Sequence, residues 1–233
     1  MTSAAGHVLD RPLWHALSGQ QRDLAHGDAR ALRVDPAIGP FGAARDLGEE
    51  AQRALAALAR GLGPLAQVER EEVAPAPGTT VVASAPLVQM VCAAPRMHGD
   101  HPAVELLGRA DMAEMAILAE ATEPGPWAPE TIRYGAFYGI RERGRLVAMA
   151  GERMRPGGYA EVSGVCTDPA WRGKGLAAAL IGRVMLGFAE RDQVPFLHVH
   201  RDNAGAIALY ERLGFAIRCP MTVTVIVWNG GAA

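Results

Sequence analysis

The chain has 233 residues, 49% of them hydrophobic, and a formal net charge of −2. That is enough apolar material for a core in one large or two small domains, and too little basic charge to grip a nucleic-acid backbone. Cys92, Cys166 and Cys219 make an odd count without paired spacing, which argues against a disulfide framework or a cysteine-based zinc site and fits a reducing cytoplasm.

The N-terminus, MTSAAGHVLDRPLW, has no basic region leading into an apolar core, so no signal peptide is expected. No apolar run reaches the roughly 18 residues of a membrane span. Arg11 to Ala25 reads as a helix, with Pro12 in its first turn and Gly27 beyond its end. Ala31 to Val34 reads as a short strand. Glu49 to Arg60 is a helix with acids in its first turn and Gly61 as the stop. Leu65 to Val73 and Val81 to Val91 have strand character, separated by Pro75-Ala76-Pro77-Gly78.

Pro95 to Pro102 is a polar, turn-rich connector. Its His98, Asp100 and His101 lack a fixed register and a fourth ligand, so a solvated linker is expected there and no metal. Asp111 to Thr122 reads as a helix, followed by Glu123-Pro124-Gly125-Pro126-Trp127. A meander then runs through Ile132 to Ile140, Leu146 to Arg153 and Gly158 to Cys166, with turns at Arg143-Gly144 and Pro156-Gly157-Gly158. Leu146, Ala148 and Ala150 alternate with Val147, Met149 and Gly151. Met221 to Trp228 reads as a last antiparallel strand. Hairpin-linked strands followed by strand–helix–strand–helix make an α+β layout with a mixed sheet.

The most informative stretch is Val162 to Ala177. A strand turns at Asp168-Pro169 into Arg172-Gly173-Lys174-Gly175-Leu176-Ala177, which opens a helix. The first N–H groups of a helix have no intrahelical acceptor, the dipole adds positive potential, and glycines let an anion approach. A pyrophosphate suits such a place. A Walker loop is excluded because Gly175, not Ser or Thr, follows Lys174. A Rossmann loop is excluded because Ala178 stands at the third glycine position.

The next segment makes the signal specific. The strand Val194 to His200 runs into Asn203-x-x-Ala206-x-x-x-Tyr210-x-x-x-Gly214-Phe215. In this order the chain resembles the GNAT superfamily of acyl-CoA-dependent N-acetyltransferases. Its Arg172-to-Ala177 loop is similar to that family's Arg/Gln-x-x-Gly-x-Gly/Ala loop, and Asn203 to Phe215 to its second motif. The strong resemblance covers Ile132 to Val227.

The resemblance implies a mostly antiparallel mixed sheet flanked by helices, with residues 103–233 as the catalytic domain. Residues 1–95 show helix–strand–helix–strand–strand but nothing like the glycine loop. They read as a degenerate GNAT-like half that completes a tandem, in preference to a family-specific extension that caps the fold. No repeat is visible between the halves.

Acyl transfer to an amine needs an anchored coenzyme, a polarised carbonyl, an uncharged amine and a stabilised leaving thiolate. The resemblance places the anchor on Arg172, Gly173, Lys174, Gly175, Leu176 and Ala177. It places pantetheine contacts on the main chain of Val165, Cys166 and Thr167, with Asn203 and Ala206 beside them. Tyr210 is the implied general acid, since a phenol with an ordinary pKa near 10 is protonated at neutrality. Glu161 is the implied base, on a strand face shared by 161, 163 and 165. Glu152 and Glu120 stand in reserve, and an amine of low pKa needs no base. Cys166 raises a covalent alternative; direct attack is preferred. His198 and His200 read as packing residues of the groove.

The expected function is transfer of the acetyl group of acetyl-CoA to a small primary amine in the cytoplasm. No nucleic acid, membrane or metal is expected as a partner, and the chain is read as a monomer or homodimer. Two alternatives stay open: acetylation of a protein N-terminus or lysine, and a coenzyme-binding sensor without turnover.

Overall fold

A computed structural model describes residues 6–70, 72–96 and 103–230. His98, Asp100 and His101 lie outside the described residues. The N-terminal part comprises α1 (Pro12–Leu17), β1 (Ala25–Gly27), β2 (Ala31–Val34), β3 (Gly42–Ala44), α2 (Glu49–Leu62), β4 (Leu65–Glu69) and β5 (Thr79–Val91). Then come β6 (Val104–Leu107), α3 (Met112–Thr122), β7 (Phe137–Glu142), β8 (Arg145–Glu152) and β9 (Tyr159–Thr167). The chain ends with α4 (Leu176–Ala189), β10 (Val194–His200), α5 (Ala204–Arg212) and β11 (Ala216–Trp228).

β1, β2 and β3 form a small sheet. The other eight strands form one continuous sheet in the order β4-β11-β5-β10-β9-β8-β7-β6. All of its pairings are antiparallel except β9 with β10. The long strand β5 lies between β10 and β11. It pairs with β10 from Leu87↔His200 to Val91↔Phe196, and with β11 from Ala216↔Val91 to Trp228↔Thr79. The first 95 residues therefore supply an interior strand to the sheet that carries the glycine loop.

Helices cover both faces. Leu176, Leu180, Ile181, Val184 and Phe188 of α4 pack on Val147, Ala148, Ala160 and Val162. On the opposite side Met115, Leu118 and Ala119 of α3 pack on Phe137, Met149 and Cys166. α1 covers Phe196, Cys219 and Met221, and α2 covers Leu65 and Ile226. Burying such side chains supplies roughly 1.5–3 kcal/mol each.

Four sequence expectations change. The strand expected from Leu65 to Val73 stops at Glu69. The first helix stops at Leu17, because backbone turns at Ser18 and Gly19 hand over to a 3-10 turn and to β1. The strand expected from Ile132 begins only at Phe137; Thr131–Tyr134 is a 3-10 turn. The last strand begins at Ala216, five residues early, since β5 pairs with it from there.

Candidate active site

β9 and β10 run parallel only from Val194↔Tyr159 to Phe196↔Glu161. Beyond that point the two strands separate. A cavity of about 910 Å³ opens there, lined by Val165, Cys166 and Thr167 on one side and His198, Val199 and His200 on the other. The N-terminus of α4 closes one end. Unpaired backbone edges of diverging strands can take an extended ligand arm as an added strand.

The glycine loop sits at that end. Gly173 and Gly175 have φ of 75° and 80°, a region costly for residues with a Cβ. Gly175 is the N-cap of α4, and the N–H groups of the helix's first residues have no intrahelical acceptor. Arg172, Gly173, Gly175, Leu176 and Ala177 line the cavity. Lys174 does not line it: its Nζ lies 3.9 Å from the centroid of the Trp171 ring. Arg172 donates from Nε to the Thr167 carbonyl at 3.3 Å, which ties the loop to β9.

α5 forms the facing wall. Asn203 caps it by accepting from the Ala206 N–H at 3.1 Å. Asn203, Ala206 and Tyr210 all line the cavity. Tyr210 packs edge-on against Phe215 at 5.9 Å between centroids. Burial, with a smaller contribution from Cys166, pushes its phenol up to about 12, so it is a proton donor across the physiological range.

Cys166 is also buried, and burial pushes its thiol up to about 11. A thiol held protonated is a poor nucleophile. Cys166→Ser should therefore keep most of the turnover. Complete loss of activity in a folded variant would support an acyl-cysteine route instead.

Glu161 occupies a different position from the one its strand spacing suggests. β9 carries a bulge: Met149 pairs with Cys166, but Gly151 pairs with Ser163. Gly164 sits in the bulge at φ 60°. The extra residue puts Val165 on the α4 side with Val162, and Cys166 on the α3 side. Residues 161, 163 and 165 therefore do not share one face.

Glu161 itself is fully buried. Arg153 donates to it from Nε at 2.8 Å and from Nη2 at 2.6 Å, and His198 Nδ1 lies 2.7 Å from its Oε1. Burial alone raises such a carboxyl. The Arg153 guanidinium and the His198 hydrogen bond outweigh it and hold the acid at about 2. Its role as a base is thus opposed by geometry and by basicity together. His198 has both ring nitrogens engaged, since its Nε2 lies 3.0 Å from Gln89 Nε2. Of the reserve bases, Glu152 is buried and paired with Arg191 at 2.9 Å.

Arg153, Phe41, Val68, Leu87 and Val223 line the cavity and were not singled out from the sequence. Arg153 stacks over Phe41 at 4.8 Å to the ring centroid. The signal available for Arg153 was Glu152-Arg153, a charge pair at the end of the apolar run Leu146 to Gly151. Trp127, expected to contact the acceptor or to pack on its own loop, stands edge-on to Phe137 at 5.6 Å. Among the described residues no group of three His, Cys, Asp or Glu is placed to hold a metal ion, and no helix is long and apolar enough to cross a membrane.

The parted strands, the glycine-capped helix and the protonated phenol on the facing wall thus border one cavity. The FR47-like protein family model matches residues 137–225. The N-alpha-acetyltransferase RimI of Mycobacterium tuberculosis is 36% identical over 121 residues, which cover 47% of this chain and 75% of that protein. The GNAT-family structure from Novosphingobium aromaticivorans is 51% identical with a TM-score of 0.88, over 96% of this chain and 99% of that one. A GCN5-related N-acetyltransferase from Kribbella flavida, 19% identical with a TM-score of 0.60 over 98% of each chain, shares the fold. The chain belongs to the GNAT family of acetyltransferases, enzymes that use acetyl-CoA as donor.

Proposed function

We propose that the protein transfers the acetyl group of acetyl-CoA directly to a small primary amine. One observation carries the reading: the glycine loop, the separated strands β9 and β10, and the Tyr210 side chain border a single cavity.

In this reading, amides of Gly173 to Ala177 hold the pyrophosphate and Arg172 adds charge. Main-chain groups of Val165 to Thr167 bind the pantetheine arm and polarise the thioester carbonyl. The amine attacks that carbonyl, the C–S bond breaks, and Tyr210 gives its proton to the leaving thiolate. The amine enters uncharged and sheds its second proton to water. Glu161 serves the site by fixing Arg153 and His198. Residues 1–95 act as a GNAT-like half that completes the sheet and walls the cavity.

A small acceptor is favoured because Phe41, Val68, Leu87 and Val223 wall the cavity on its apolar side. The relative named for N-alpha acetylation supports peptide N-termini as a second reading. Release of free thiol from acetyl-CoA, measured against amino acids, polyamines, aminoglycosides and short peptides, tests both. Release that depends on one small-amine class supports the proposal. Release with peptides alone moves the assignment to a protein acceptor.

A further inference from the structure

The large cavity adjoins a small side pocket of mixed polar and apolar lining. It shares Pro124, Pro126 and Arg153 with the main cavity and adds Tyr134, Ser163 and Trp127. Its free volume is about 10 Å³, room for about one water or one oxygen of a group that reaches in from the main cavity.

Two of its groups carry unused hydrogen-bonding capacity. Arg153 spends Nε and Nη2 on Glu161 and makes no hydrogen bond from Nη1 among the described residues. Tyr134 is 4% exposed, and its buried hydroxyl makes no hydrogen bond among the described residues. A buried hydroxyl without a partner costs roughly 1–3 kcal/mol, so a water or a ligand oxygen is expected to meet it here. Ser163 adds a third hydroxyl at the rim.

The guanidinium is also held rigidly. Glu161 grips it from one edge, His198 orients Glu161, and Phe41 covers one of its faces. The unused Nη1 donor of a fixed guanidinium beside a neutral phenol fits one oxygen of an anionic acceptor group. The two acids nearby are both engaged, Glu161 with Arg153 and His198 and Glu152 with Arg191, so neither meets the pocket unpaired. Beyond Arg153 the wall is Phe41, Val68, Leu87 and Val223, which suits an apolar body.

We propose that the acceptor is a small amine that also carries a carboxylate, held by Arg153 and Tyr134, with an apolar body between the two ends. This rests on the acetyl-transfer reading above.

The test compares matched acceptors on the full-length enzyme by thiol release. 4-Aminobutyrate, 5-aminopentanoate and 6-aminohexanoate are set against their amides and against the amines that lack the carboxyl group. The expected result is a kcat/KM at least about tenfold higher for some carboxylate-bearing amine than for its partner, as expected when a site built for a polar group meets an analogue without it. Tyr134→Phe keeps the shape and removes only the unpaired hydroxyl, so it should fold at least as well as the wild type. It should raise KM for the carboxylate amine and leave the partner amine's KM unchanged. Arg153→Lys should narrow the same ratio further. Equal kcat/KM for both members of every pair, or an unchanged ratio in Tyr134→Phe, overturns the carboxylate assignment and leaves acetyl transfer standing. No thiol release with any amine overturns both.

Discussion

Gly175→Glu abolishes acetyl-CoA binding. At φ 80° any side chain costs about 1–2 kcal/mol of backbone strain. The added carboxylate also stands where a pyrophosphate is expected, at the N-cap of α4. Losing two charge-assisted hydrogen bonds, at roughly 1.5–3 kcal/mol each, predicts binding at least about a hundredfold weaker. Gly175 is exposed, so the core is not disturbed. Gly175→Ala separates the two effects, because it carries the strain without the charge. Calorimetric titration with acetyl-CoA reads both variants. Unchanged affinity in Gly175→Glu would remove the loop from the coenzyme site.

Glu161→Ala destabilises the fold more than any exposed substitution. It leaves the Arg153 guanidinium, 15% exposed, and the buried His198 without their shared partner. Breaking one member of a buried pair costs about 3–5 kcal/mol, a fall in melting temperature on the order of 10 °C for a chain of this size. The pairing also sets an acid limit. The Glu161 carboxyl titrates at about 2 in the fold, against 4.5 for the ordinary group. Its depressed value means that the contribution to stability is complete above about 4.5 and lost as pH falls toward 2. Glu161→Gln should flatten that part of the stability profile. An unchanged acid limb, with unaltered melting at neutral pH, would contradict the pairing.

The parts of this fold that were legible in the sequence are the local ones. The glycine loop, the Asn203 cap and the Tyr210 helix follow from short-range rules of backbone conformation and capping, and they lie where their spacing put them. β8, β9 and β10 match their apolar runs within one residue at each end. Sheet order was not legible. β5 reads as an ordinary strand, and nothing local says that it inserts between β10 and β11, because that placement is decided by pairing across more than 100 residues. The misplaced Glu161 has a similar cause. Strict alternation carries 161 to 165 along one face, and a single positive-φ residue at Gly164 breaks it. By its apolar pattern Tyr134 belongs to a strand, whereas it lies in a 3-10 turn and lines the side pocket.

Residues of the N-terminal part support the site physically. Phe41 covers the Arg153 guanidinium, and Gln89 of β5 contacts His198 while donating to the Leu9 carbonyl at 2.9 Å. Arg218 bonds Gln89 Oε1 at 2.9 Å and Asp10 at 2.6 Å. A polar chain thus runs from the N-terminal segment to the floor of the cavity.

The central claim is acetyl transfer with Tyr210 as the proton donor, and its most direct test is the steady-state rate of thiol release from acetyl-CoA by the wild type and Tyr210→Phe, with kcat and KM resolved separately. The account predicts a kcat lower by at least about a hundredfold, the low end of what a positioned acid contributes, with the KM for acetyl-CoA within a factor of about three. A variant that turns over at the wild-type rate, or that loses activity only through weaker coenzyme binding, would contradict it.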